Sequence, residues 1–340
     1  MKKILNNTGI QKKIICFTGA TGFVGSKLLD KLIEIGCNIK VLTRNKNARL
    51  SKNIKTYVGD LADQNCNLSA FIKDCDIFFN CAGEKNNHTK MRSLHVNGTQ
   101  NLLNNLRHEA VISNKKIHWI QLSSCGAYGS PPKENFEVRR IITESSETKP
   151  TNEYERTKTE SDELVIKASA DQLILYTILR PSNIIANIGK DTSINKLIKL
   201  LNLGFFFFIG KKDAIATYVH LDDVVNALVE IACNPNSKNE IFNLSSDCSW
   251  ESLIQEILKK KKVKVLPIRI PYKLLKLPLI FLRFLIGRFI HIPLFSALVM
   301  RTSYPSLKIE KNLNFKFVMP MPYSIKYLIN IEGKNKTEKK

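Results

Sequence analysis

Tyr154 and Lys158 stand four residues apart in the string "YERTK". On a helix that spacing puts a phenol and an ammonium on one face. A phenol with an ordinary pKa of about 10 is a poor proton shuttle near neutral pH, and a neighbouring ammonium favours its ionised form. A hydroxyl able to hold the same substrate oxygen stands upstream in "QLSSCGAYG", where Ser123 and Ser124 end an apolar run that reads as a strand. Ser124, Tyr154 and Lys158 together can hold a carbinol or carbonyl and move its proton while a cofactor moves the hydride. Tyrosine and lysine at this spacing carry little weight alone, since any surface helix can present them.

The hydride carrier is indicated by "FTGATGFVGSKL" at 17–28. Gly19, Gly22 and Gly25 follow the apolar run "KIICFT" and open the amphipathic stretch "GSKLLDKLIEIG". Between a strand and a helix, such glycines permit a sharp turn, a close approach to a pyrophosphate and close helix–strand packing. The phosphates then face unpaired amides of the first helical turn, Phe23, Val24 and Gly25. About 20 residues further on, an acid would hold the adenosine ribose hydroxyls. Thr43 and Arg44 stand there instead, in "VLTRNKN". A carboxylate would repel a 2′-phosphate, whereas Arg44 can bind one through two hydrogen bonds. The expectation is NADP(H), with NAD as the alternative if Arg44 is only a surface arginine.

The elements that must position these residues read as an α/β alternation. Apolar runs at "KIICFT", "NIKVLTR", "KTYVGDL", "CDIFFNCAG", "KIHWIQLSS" and "QLILYTILRP" are separated by helical patterns, including "RSLHVNGTQNLLNNLRHEA" and "TNEYERTKTESDELVIKAS". Continuous apolar strands alternating with helices imply a doubly wound parallel sheet covered on both faces, a Rossmann-like fold. The expected organisation is an N-terminal tail over 1–12, a dinucleotide-binding domain over 13–185, a smaller and less regular substrate lobe over 186–330, and a charged tail over 331–340. Within the lobe, 218–245 is expected to return to the sheet, with "YVHLDDVVNALVEIACN" as one helix and "EIFNLS" as a strand. "FFFF" at 205–208 reads as a buried strand.

The chain has 340 residues, 44% of them hydrophobic, enough for a large buried core. Its formal net charge is +22, from 52 Lys+Arg against 30 Asp+Glu. The lysines are scattered and no nucleic-acid module is visible, so a basic surface is favoured over nucleic-acid binding. The eight cysteines include no CxxC pair and read as reduced, cytoplasmic core residues, with no metal site. The apolar segment 270–295 is interrupted by Lys276, Pro278 and Arg283, so it is too broken to cross a bilayer. A core helix is favoured there; the alternative is peripheral contact with the inner membrane face through 276–290.

With these strings in hand, the chain resembles the extended branch of the short-chain dehydrogenase/reductase superfamily, which holds nucleotide-sugar epimerases, dehydratases and 4-ketoreductases. The resemblance runs over nearly the whole chain: "TGATGFVG", "GDL" at 59–61, "NCAG" at 80–83, "VNGTQNLL" at 96–103, "SSCGAYG" at 123–129, "YERTK", "LRPSNII" at 179–185, "YVHLDDVVNAL" at 218–228 and "SLKIEKNLNF" at 306–315. It implies that Asp60 holds the adenine amine and Leu61 packs on its ring. It implies that Cys81, Ala82 and Gly83 line the cofactor and that Asn97 braces the active-site helix. Pro181 and Ser182 would border the nicotinamide, Cys125 would adjoin the substrate, and Asn183 would reach its diphosphate. A homodimer is also implied.

Three departures bear on the reaction. "SNIIANIGKD" lacks the family's Tyr-Gly-Pro, no arginine motif for the diphosphate is evident in the C-terminal lobe, and no Asp-Glu pair follows Ser124. The last disfavours a 4,6-dehydratase. The expected activity is reduction of a 4-keto nucleotide sugar. The alternatives are C4 epimerisation of a UDP-hexose, UDP-N-acetylhexosamine or polyprenyl-diphosphate sugar, action on a hydrophobic substrate such as a steroid, and a non-catalytic cofactor-binding role.

Overall fold

A computed structural model of the chain describes residues 8–46, 50, 54–186, 194, 197, 198, 201, 207–261, 268–272, 274 and 297–327. Seven strands, β1 (Ile14–Thr18), β2 (Asn38–Thr43), β3 (Lys55–Val58), β4 (Ile77–Asn80), β5 (Ile117–Leu122), β6 (Ile174–Pro181) and β7 (Glu240–Leu244), form one sheet in the order β7-β6-β5-β4-β1-β2-β3. Every adjoining pair is parallel. The inner strands are buried on both faces because both faces are covered, whereas the edge strand β3 is largely exposed. Ile15 and Phe17 of β1 pack with Leu28 and Leu32 of α1 (Phe23–Ile35) and with Val224 and Leu228 of α4 (Leu221–Cys233). The intervening Cys16 turns to the other layer, with Leu102 and Leu106 of α2 (Gly98–Ile112) and Val165 of α3 (Glu153–Ala168). Phe78 and Trp119 stack there at 4.7 Å between centroids, both fully buried, and each large aromatic contributes about 1.5–3 kcal/mol by burial.

Strand order reverses between β1 and β4, so a crevice opens beyond their C-terminal ends, where open α/β sheets bind ligands. A second core, built on Ile185, Ile209, Trp250, Ile254, Val299 and Ile325, lies above those ends. Short strand pairs stitch it to the sheet: 183–185 with 218–220, 140–141 with 302–303, and 215–216 with 248–249. β7 continues the sheet beside β6, and α4 packs with α1 in one core, while Tyr218–His220 pairs outside the sheet with 183–185.

Within the expected N-terminal tail, Thr8–Gln11 is a helical turn that buries Ile10, and Gln11 Nε2 donates to Ile35 O at 2.6 Å. Two local expectations change. The stretch from Tyr218 is not one helix. Tyr218–His220 is a strand, and α4 begins only at Leu221, where His220 Nδ1 accepts the Asp222 amide at 3.2 Å and caps it. The long helix over "RSLHVNGTQ" contains a π-helical turn, Ser93–Asn97, before α2. Of "FFFF", Phe207 and Phe208 pack partly buried against the second core. The segment 276–290 lies outside the described residues. Among the described residues, no helix is long and apolar enough to cross a membrane.

Candidate active site

The glycine turn is built around close approach. Gly19 has φ +80°, and a Cβ there would overlap the Cys81 carbonyl carbon and oxygen and the Ala82 nitrogen. The loops after β1 and β4 are thereby pressed together at the point where strand order reverses. A Cβ at Gly25 would overlap the Gly19 carbonyl oxygen. α1 starts at Phe23 with Gly22 as N-cap and no side-chain cap. The amides of Phe23, Val24 and Gly25 have no intrahelical partner, so the helix start presents donors to the crevice. This cradle fits an anionic ligand whose pyrophosphate takes the place of missing side chains.

Arg44 is exposed just beyond β2, in a segment whose Thr43 Oγ1 accepts the Asn45 amide at 3.2 Å. Asp60 Oδ1 accepts the Ala62 amide at 3.0 Å and so holds its own turn. Leu61 is buried against the backbone of Gly98 in the α2 layer.

Ser124 and Tyr154 line one cleft of about 630 Å³ above β5 and β6. Ser124 ends the β5 segment and its Oγ accepts the Gly126 amide at 3.0 Å, capping the short helical turn Cys125–Tyr128. α3 is capped by Asn152, whose side chain accepts the Glu155 amide at 3.0 Å, and this sets Tyr154 in its first turn. Burial, reinforced by the Asp162 and Glu155 carboxylates, pushes the Tyr154 phenol up to about 12. Lys158 lies one turn on, beneath the cleft. Its Nζ donates to Leu122 O at 2.6 Å, and burial lowers its pKa. The ammonium is thus tied to the backbone of β5, and the phenol, pushed up by burial, stays protonated near neutral pH.

Two hydrogen-bonded clusters that the motifs do not reveal fix these groups. His95, in the π-helical turn, meets the Tyr154 ring edge-on at 5.8 Å between centroids. Its Nε2 accepts the Glu84 amide at 2.9 Å, so the neutral ring carries its proton on Nδ1 and donates to Thr157 Oγ1 at 2.8 Å. Thr157 in turn donates to Glu153 O at 2.9 Å. Burial pushes His95 down to about 3, so it stays neutral at physiological pH. In the second cluster, Asp162 Oδ2 accepts Ser123 Oγ at 2.7 Å and Arg180 at 3.1 and 3.2 Å. This ties α3 to the residues flanking Ser124 and Pro181. The only advance sign of either cluster is place: His95 lies two before Asn97, and Asp162 is one turn past Lys158.

The remaining expected residues divide. Pro181, Ser182 and Asn183 line the cleft, and Asn183 Nδ2 donates to Thr217 O at 3.1 Å. Cys125 contributes to the wall, but its thiol is buried and donates to Arg180 O at 3.0 Å. Cys81, Ala82 and Gly83 follow β4 beside the glycine turn. Asn97 is exposed, with no side-chain hydrogen bond among the described residues. The bracing expected of it comes from His95–Thr157 and from Thr99 Oγ1 to Ser161 Oγ at 2.9 Å.

Residues 15–245 match the model of the NAD dependent epimerase/dehydratase family, more than half of the chain. A Methanocaldococcus jannaschii protein provisionally named UDP-glucose 4-epimerase is 25% identical over 244 residues, covering 68% of this chain and 77% of that protein. The sterol-4-alpha-carboxylate 3-dehydrogenase (decarboxylating) of Dictyostelium discoideum is 24% identical over 262 residues, covering 74% and 77%. Among solved structures, the UDP-glucuronic acid 4-epimerase of Bacillus cereus in complex with NAD superposes with a TM-score of 0.69 at 17% identity, over 95% of this chain and 98% of that one. At that identity the likeness speaks for the fold alone.

Proposed function

The chain belongs to the NAD dependent epimerase/dehydratase family, and from that premise we propose that it acts by oxidation and reduction at C4 of a nucleotide-linked sugar, with epimerisation at C4 as the net reaction. One observation carries the chemistry: Ser124 and Tyr154 line a single cleft adjoining the crevice that the Gly19 turn opens. The name of the Methanocaldococcus relative supports a sugar C4 as the reacting position.

In this proposal, the amides of Phe23, Val24 and Gly25 hold the cofactor's pyrophosphate, with Gly19 and Gly22 giving it room. Cys81, Ala82, Gly83 and Pro181 border it, and Lys158 orients its nicotinamide ribose. When bound, the nicotinamide supplies a hydride acceptor and donor. Ser124 Oγ orients the C4 oxygen, and the protonated Tyr154 phenol supplies or recovers its proton. Asn183, at the cleft's edge, faces the substrate's diphosphate.

Net reduction of a 4-keto sugar is the second reading, favoured by Arg44 just past β2, which can grip a 2′-phosphate and hence NADPH, although its charge is shared with the nearby Glu84 carboxylate. Release of the nicotinamide on denaturing the purified protein separates the two. Stoichiometric NAD supports the epimerase, which keeps its cofactor through the cycle. A site that is purified empty and binds NADPH at least tenfold more tightly than NADH supports the reductase. A protein that binds neither overturns both.

A further inference from the structure

The loop after β4 brings a positive charge to the reacting end of the cleft. Lys85 lines that cleft, and its Nζ lies 6.0 Å from the centroid of the Tyr154 ring. The loop is firmly held. Glu84 Oε1 accepts the amides of Lys85, Asn86 and Asn87 at 2.9, 2.8 and 3.2 Å. The Glu84 amide donates to His95 Nε2, and His95 Nδ1 reaches Thr157 on α3. The Lys85 loop and the helix bearing Tyr154 are therefore one hydrogen-bonded unit.

Lys85 makes no ion pair among the described residues. Glu155, the other charged residue of the lining, spends its Oε2 on the amide and hydroxyl of Thr151, both at 2.7 Å. An ammonium thus stands beside the Tyr154 ring without an ion pair among the described residues, while Glu155 keeps its charge but is held toward Thr151, and the Lys85 charge is felt at Lys158 as well.

We propose that Lys85 receives a carboxylate borne by the substrate on the carbon next to the reacting one, so that the preferred substrate is a nucleotide-linked uronic acid rather than a neutral hexose. The inference rests on the assignment of a C4-reacting nucleotide sugar. A monoanion fits better than a phosphate. Glu84 already takes the loop amides that a phosphate would need, and a single lysine offers a point charge without the fork of arginine. Position argues the same way. An ammonium holds a carboxylate at about 2.8 Å, which puts the anion within a ring's breadth of the phenol. The diphosphate leaves the sugar at the anomeric carbon, across the ring from C4.

The test is calorimetric binding of UDP-glucuronic acid and UDP-glucose to NAD-loaded protein carrying Tyr154→Phe, with and without Lys85→Gln and Lys85→Arg. The expected result is a preference of about tenfold or more for UDP-glucuronic acid at low salt. Lys85→Gln brings the ratio of affinities near one, and Lys85→Arg restores most of it. Equal binding of the two sugars, or an equal loss for both in Lys85→Gln, overturns the proposal while the sugar-nucleotide reading stands. An equal loss would assign Lys85 to the diphosphate or the cofactor. If neither nucleotide sugar binds, the assignment of substrate fails, and this inference fails with it.

Discussion

In the proposed reaction, Tyr154 rests as a protonated phenol that gives its proton in the reductive direction and must lose it first in the oxidative one. Its pKa of about 12 has burial as its first cause and the Asp162 carboxylate as its second. Replacing it by phenylalanine removes the proton donor and leaves the glycine cradle untouched. Turnover should then fall about 10²–10⁴-fold, with nicotinamide affinity within about twofold of the parent by fluorescence titration. Unchanged turnover would remove the tyrosine from the mechanism. The direction of the pH dependence follows from the same shift. In the oxidative direction the phenol must first lose its proton, so the rate should climb as pH rises toward alkaline values. Asp162→Asn removes the carboxylate that opposes ionisation, so the alkaline limb should move to lower pH. An Asn oxygen can still accept from Ser123 and Arg180, which keeps the test interpretable. A limb that stays in place would show that burial and Glu155, not Asp162, set the phenol. The residues of this candidate site, Ser124, Tyr154 and Lys158, stand out in the sequence by type and spacing. Their electrostatics do not: a spacing of four suggests that Lys158 acts on the phenol, whereas its ammonium is held by Leu122 O. A backbone carbonyl leaves no mark in a sequence.

Among the elements, the glycine turn shows what spacing can and cannot convey. Three glycines between a strand and a helix predict a close approach, but not what approaches. The contact of Gly19 with Cys81 and Ala82 joins segments that are 62 residues apart, because β1 and β4 are neighbours in the sheet. Gly19→Ala should therefore damage two things at once. The left-handed conformation at φ +80° costs an alanine about 1–2 kcal/mol, and its methyl overlaps the Cys81 backbone. Both thermal stability and nicotinamide binding should fall. Gly22→Ala should be milder, since its Cβ would meet only the Gly19 oxygen at 3.1 Å. Equal melting temperatures for the two variants would contradict this ranking. The large strands and helices follow from runs of apolar residues and their period, which is why they were readable. The two-residue strands 140–141 and 302–303 carry no period at all and exist only through pairing across more than 150 residues. The π-helical turn at Ser93–Asn97 was equally hidden, since its wider winding is stabilised by His95 reaching Glu84 and Thr157 rather than by local preference.

Across the whole molecule, acid sensitivity draws on buried histidines: burial lowers the pKa of His95, His118 and His220, the first two furthest. His118 on β5 meets Thr177 Oγ1 at 2.8 Å, and Thr177 donates to Ser237 O at 2.6 Å, so the His118 Nε2 carries a proton and donates. His95 is fixed as a neutral ring on the opposite side of the same fold. Burial pushes both down to about 3, from an ordinary value of 6.5. Below pH 6.5 the unfolded chain takes up a proton at each histidine while the native protein does not. Stability therefore rises with pH across this window: the contribution is present in full above 6.5 and is lost as pH falls toward 3. These two alone give a limiting slope of two protons, about 2.7 kcal/mol per pH unit, to which His220 adds. The net charge of +22 adds self-repulsion as carboxylates are protonated, so the decline should be steep. His118→Gln keeps a donor for Thr177 but cannot be protonated. Its stability curve, followed by denaturant titration from pH 7 to 4.5, should be shallower than the parent's by close to one proton, even if it starts lower. Parallel curves would mean that His118 is charged in the native state and that the low-pH loss comes from the carboxylates instead.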